Sequence, residues 1–135
     1  MVNKLNLEIK VIVPTGLLDE TFRKKAEEYQ DWVRELGLEC SVIFYDTDNI
    51  QNFETQRRFI LDLYKLSDVL IYPSDWESFG MQMLEAAVAG LPIAVSERIG
   101  PRAQLLGDNV HVFDPGDPAR SALGILCYLS RDLTA

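Results

Sequence analysis

The chain has 135 residues, 47% apolar and 25% charged, which suits one soluble domain with a core of its own. A formal net charge of −8 argues against a general nucleic-acid binder, which needs a basic stripe to displace counterions from phosphates; the acidity reads as solubility. No apolar run approaches the roughly 18 residues of a membrane span.

Met1 to Lys4 leads into a charged strand rather than a signal peptide, and Cys40 and Cys127 stand in apolar surroundings without metal spacing. Both are expected as buried free thiols in a reducing compartment, the cytoplasm. Leu7 to Pro14 alternates weakly and then runs apolar through Val11, Ile12 and Val13, as a central parallel strand does. Thr15 to Asp19 is the turn, where a glycine-rich phosphate loop would sit, although Gly16 is its one glycine. The next helix places Phe22, Ala26, Tyr29, Val33 and Leu36 on one face, and Gly37 ends it. Ser41 to Tyr45 is the second strand and Asp46 to Asn49 a polar loop. Asn52 to Leu66 predicts a second helix with Phe59, Ile60, Leu63 and Tyr64 inward and Arg57, Arg58 and Lys65 solvated.

The third strand runs from Asp68 to Tyr72 and is closed by Pro73. A helix over Ser78 to Ala89 stops at Gly90, and Pro92 to Ser96 forms a fourth strand. Glu97 to Pro101 is a loop, with Pro101 starting a short helix through Leu106. Val110 to Phe113 is a short fifth strand. Asp117 caps and Pro118 starts the last helix, with Ala122, Leu123, Leu126 and Leu129 on its apolar face. Strands joined by helices demand right-handed parallel crossovers, so the fold class is α/β, a doubly wound, Rossmann-like five-stranded parallel sheet.

The stretch Ser74 to Ala87 organises the rest. A strand, a loop with a carboxylate and a helix starting at a glycine put backbone N–H groups and the positive end of a helix dipole at the carboxyl edge of the sheet, a seat for a phosphate or diphosphate. Glu77 and Glu85, eight apart, are separated by roughly 12 Å along a helix axis and about 80° around it. They can touch opposite ends of one extended ligand.

Glu77, seven residues, then Glu85, with Phe79-Gly80 after the first and Ala86-Ala87 after the second, resembles the Glu-x7-Glu signature of retaining GT-B glycosyltransferases, group 1 (family 4). The flanks agree: Ser67 to Ser74 before, Gly90 to Ser96 after, and Asp114 to Pro118 later. The similarity runs from about Leu7 to Leu129. It implies the C-terminal nucleotide-sugar-binding half of such an enzyme, whose reaction moves a hexosyl group from an NDP-sugar to an acceptor hydroxyl with retention and needs no metal or other cofactor. That half has sheet order 3-2-1-4-5-6. This chain resembles it from the second strand onward, which gives order 2-1-3-4-5 and a switch point between the first and third strands.

By resemblance Glu77 faces hydroxyls of the transferred sugar with an electrostatic role at the anomeric carbon; the alternative is a loop carboxylate capping the helix that follows. Glu85 accepts hydrogen bonds from ribose hydroxyls, or is a solvated mid-helix residue. Ser78, Phe79, Gly80 and Met81 lie where a sugar or phosphate oxygen approaches, Phe79 being equally a core anchor, and Gly16 is a further substrate-binding candidate. Arg98 and Arg102 reach for a diphosphate or are ordinary surface arginines. Trp76 shields the site or simply packs, and His111, without a partner at metal or triad spacing, reads as structural. The family's first βα unit, with its diphosphate-neutralising Arg and Lys, and its acceptor-binding domain have no counterpart here. Transfer is therefore expected to need that missing domain or another subunit. The alternatives are a catalytically inactive Rossmann-like binding or scaffold domain, or a relative of the GT-B epimerases.

Overall fold

The computed structural model describes residues 8–15, 20–47, 50, 52–99 and 110–132. The chain divides into two compact units, Met1–Gln56 and Arg57–Ala135.

In the first unit, β1 (Val11–Thr15) pairs in parallel with β2 (Val42–Asp46), Val11 opposite Val42 and Thr15 opposite Asp46. Helix α1 (Glu20–Glu35) lies between them in sequence. It closes with Leu38 N–H donating to Val33 C=O (2.9 Å) and Gly37 N–H to Arg34 C=O (3.0 Å), a Schellman closure at the predicted glycine. The carboxyl ends of the two strands are tied by hydroxyls. Thr15 Oγ1 donates to Tyr45 C=O, Thr47 Oγ1 to Thr15 C=O, and Gln56 Nε2 to Thr47 Oγ1, each at 3.2 Å. Apolar side chains of this unit stay open to solvent: Ile12 is 41% and Ile43 46% exposed, and Tyr29, Trp32 and Leu36 are exposed too.

Helix α2 (Phe53–Leu66) begins at Asn52, whose Oδ1 accepts from Glu54 N–H (2.8 Å) as an N-cap does. Its last turns enter the second unit, with β3 (Leu70–Tyr72), α3 (Met81–Val88), β4 (Ile93–Ser96), β5 (Val110–Phe113) and α4 (Pro118–Asp132). Strand β4 is central, parallel to β3 on one side and β5 on the other, and all four of its residues are buried. Around it gather Tyr64, Met83, Ala86, Leu91, Ile93, Val95 and Ile99, with Ile60, Leu61, Leu70, Tyr72 and Val110 against them. Helix α4 starts at the predicted cap, Asp117 Oδ1 accepting from Arg120 N–H at 3.0 Å.

Three expectations change. The strands pair in parallel within two sheets, β1-β2 and β3-β4-β5, where one sheet of order 2-1-3-4-5 is expected; the neighbours within each agree with that order. Second, Cys40 and Cys127 are free but exposed: one lies in the turn before β2, the other on the outer side of α4. Third, Ala122 and Leu123 of α4 face out, while Gly124, Ile125, Leu126, Tyr128 and Leu129 are half-buried. The contact that turns the helix is Gly124, where a Cβ would stand 2.8 Å from His111 Nε2, with Tyr128 stacked on the His111 ring at 5.6 Å. His111 is thus a packing residue, as read. Gly16, Arg102, the helix expected from Pro101 and the Phe22 side chain lie outside the described residues.

Candidate functional site

The signature segment follows β3. Pro73 stops the strand, and Ser74 Oγ donates to Trp76 C=O at 2.7 Å, turning the loop back. Arg98, just beyond β4, forms an ion pair with Asp75 across the two strand ends. Arg98 N–H donates to Ser96 Oγ (3.2 Å), which satisfies the fully buried Ser96 hydroxyl.

Glu77 folds onto its own helix start. Its Oε1 accepts from Phe79 N–H (3.1 Å), Gly80 N–H (3.0 Å) and Ser78 Oγ (3.4 Å), and its Oε2 accepts from the Tyr72 hydroxyl. The carboxylate thus ties down the loop amides just ahead of α3, whose N-cap Gly80 has no side-chain cap hydrogen bond. A carboxylate at the N-terminal end of a helix, fed by four donors, is strongly stabilised in its charged form. Its pKa falls to about 2, the Tyr72 hydroxyl contributing most and the Phe79 and Gly80 amides next. Burial first, then Glu77, pushes the Tyr72 phenol well above its ordinary range.

Gly80 makes the loop-to-helix step possible. It is the N-cap of α3 with φ 75° and ψ 44°, a left-handed conformation that strains residues with a Cβ. A Cβ there would also stand 2.2 Å from Met83 Cε. At the other end, Gly90 (φ 76°) permits the Schellman closure that drives Leu91 into the core.

Glu85 lies one helix length on and is half-buried rather than solvated. It neighbours Tyr64, which is 8% exposed and whose phenol is pushed up to about 12, by burial first and the Glu85 carboxylate second. Both glutamates of the signature therefore have a tyrosine for a neighbour: Tyr72 at the end of β3, Tyr64 in the last turn of α2. Sequence reasoning missed both as site residues and placed Tyr64 in the core alone. For Tyr72 a partial signal exists: it ends the apolar run of β3, where a phenylalanine or leucine fills the same space without a hydroxyl.

Other candidates fall where the loop carries them. Trp76 is 74% and Phe79 68% exposed, so neither packs in the core; Ser78 and Met81 are exposed beside them. The Phe79 and Gly80 amides are engaged by Glu77. Thr15 uses its hydroxyl between strands. Among the described residues no group of three or more His, Cys, Asp or Glu is placed to hold a metal, and no helix is long and apolar enough to cross a membrane.

The profile of the family described as "Glycosyl transferases group 1" matches residues 22–133. Among curated proteins, the chain is 36% identical over 72 residues to D-inositol 3-phosphate glycosyltransferase 2 of Catenulispora acidiphila, covering 50% of this chain and 17% of that one. It is 30% identical over 86 residues to mannosylglucosylglycerate synthase of Petrotoga mobilis (64% and 20%). It is 37% identical over 104 residues to an uncharacterized glycosyltransferase of Methanocaldococcus jannaschii (75% and 24%). The matched stretch thus spans about a fifth of the length of these relatives. No solved structure matches the chain.

Proposed function

The chain belongs to the group 1 glycosyl transferases, and from that premise we propose that it is the donor-binding part of a retaining member, which moves a hexosyl group from an NDP-sugar to an acceptor hydroxyl. The observation that carries this reading is the fixed pair of carboxylates. Glu77 is locked at the start of α3 by four donors, and Glu85 sits on the same helix against Tyr64. Carboxylates so held are acceptors for hydroxyls, Glu77 for the sugar and Glu85 for the ribose.

The geometry refines one role. With Glu77 charged and already satisfying the Phe79 and Gly80 amides, the helix start favours a neutral sugar rather than the diphosphate, which a carboxylate repels. The diphosphate then needs cations from elsewhere, and Arg98 reaches it only by leaving Asp75. An acceptor-binding domain or a second subunit supplies the other wall of the cleft, where water is excluded and leaving-group charge is stabilised. Catalysis by this chain by itself is not expected.

Thermal shift and calorimetry with UDP, GDP and ADP test the reading. One nucleotide is expected to raise the melting temperature by mass action, and Glu85→Ala to abolish the rise. Silence from all three at millimolar concentration would leave the second reading, a catalytically inactive binding or scaffold domain. What favours that second reading is the same Glu77, whose carboxylate fills the helix start with the protein's own anion.

A further inference from the structure

We propose that Tyr72 is the positioning residue of Glu77: its hydroxyl holds one carboxylate oxygen so that a single lone pair is left to meet one hydroxyl of the donor sugar. This rests on the donor-binding reading above.

A carboxylate offers about four lone-pair sites, two on each oxygen. Glu77 Oε1 takes three donors, Ser78 Oγ and the Phe79 and Gly80 amides, and has none to spare. Oε2 takes Tyr72 and keeps one site. The loop amides alone leave the carboxylate free to swing about Oε1. Tyr72 removes that freedom, because its ring packs against the core from the end of β3 and its hydroxyl reaches outward from a fixed base. The same hydroxyl also points toward Gln82 Oε1 on the first turn of α3 (3.3 Å), a longer and weaker second acceptor than Glu77. The donor sugar should be read through one hydroxyl at this glutamate.

The test uses the 135-residue chain as wild type, Tyr72→Phe, Glu77→Gln and the double variant. Affinities for UDP and UDP-glucose, and for GDP and GDP-mannose, are measured by calorimetry, and the Glu77 carboxyl is titrated by carbon-13 NMR. Tyr72→Phe keeps the ring and so its packing. It is expected to weaken the nucleotide-sugar by about tenfold, the value of one hydrogen bond to a charged group, with the bare nucleotide within about twofold. Glu77 should titrate closer to the ordinary carboxylate range than in wild type. In the double variant Tyr72→Phe should add nothing to Glu77→Gln. Equal loss for nucleotide and nucleotide-sugar, no loss for either, or an unmoved Glu77 titration would each overturn the positioning role while leaving the donor reading intact. Wild type that binds no nucleotide at millimolar concentration would overturn the donor reading, and this proposal with it.

Discussion

Strands β2 and β4 read alike, Val-Ile-Phe-Tyr-Asp and Ile-Ala-Val-Ser, yet they have opposite surroundings. Every residue of β4 is buried, with a parallel neighbour on each side and α3 against it, while Ile43 and Tyr45 of β2 remain open to solvent. Among the described residues of the first unit only Thr47 is buried, and it is polar. An apolar run therefore predicts that a strand forms but not that it is covered; coverage depends on which elements close over it. Here the covered strand lies in the unit that holds the two glutamates. The candidate site thus lies in the better-packed unit, as a rigid constellation would require.

The largest test of that contrast is truncation. Ile93→Ala empties a fully buried position and is expected to cost about 2–5 kcal/mol, whereas Ile43→Ala, half in solvent, should cost less than about 1 kcal/mol. Native-state amide exchange, which reports each unit separately, is the measurement. Comparable losses would mean that the first unit has a core as tight as the second.

A smaller effect sharpens the same contrast within the second unit. Gly80→Ala and Gly90→Ala both force a Cβ into the left-handed region, at about 1–2 kcal/mol each. Only Gly80 also meets a side chain, Met83 Cε, since nothing lies within 4 Å of a Cβ at Gly90. Urea midpoints should rank Gly80→Ala as the more damaging. Equal midpoints would show that Met83 swings aside freely.

Much of this was legible. The five strands, four of the helices, the cap at Asp117 and the stops at Gly37 and Gly90 follow from period and punctuation, because those signals are local. The Glu77–Glu85 spacing singled out the candidate residues for the same reason. Two things were not local. Which face of α4 turns inward depends on Gly124 meeting His111 of another strand. And the tyrosine beside each glutamate lies in a different element, five residues before Glu77 and twenty-one before Glu85, so no periodicity connects them.

The last test is a pH dependence confined to these carboxylate–tyrosine neighbours. Tyr64 has a folded pKa of about 12 against an ordinary 10.0, so the folded state holds its proton more tightly than the unfolded chain does. Its contribution is complete below pH 10 and is lost as pH climbs from 10 toward 12. Tyr72 is raised as well and acts in the same direction. Glu77 has the opposite sign: lowered from 4.5 to about 2, it stabilises the fold above pH 4.5, and that support fades as pH falls toward 2. Amide exchange in β3 and β4 across both limbs should therefore show protection falling at each extreme. Tyr64→Phe should flatten the alkaline limb and leave the acid limb in place, since the phenyl ring keeps the packing and has no proton to lose. An alkaline limb unchanged in Tyr64→Phe and in Tyr72→Phe alike would mean that the phenols are not coupled to folding, and that the two glutamates are held by their helix and loop alone.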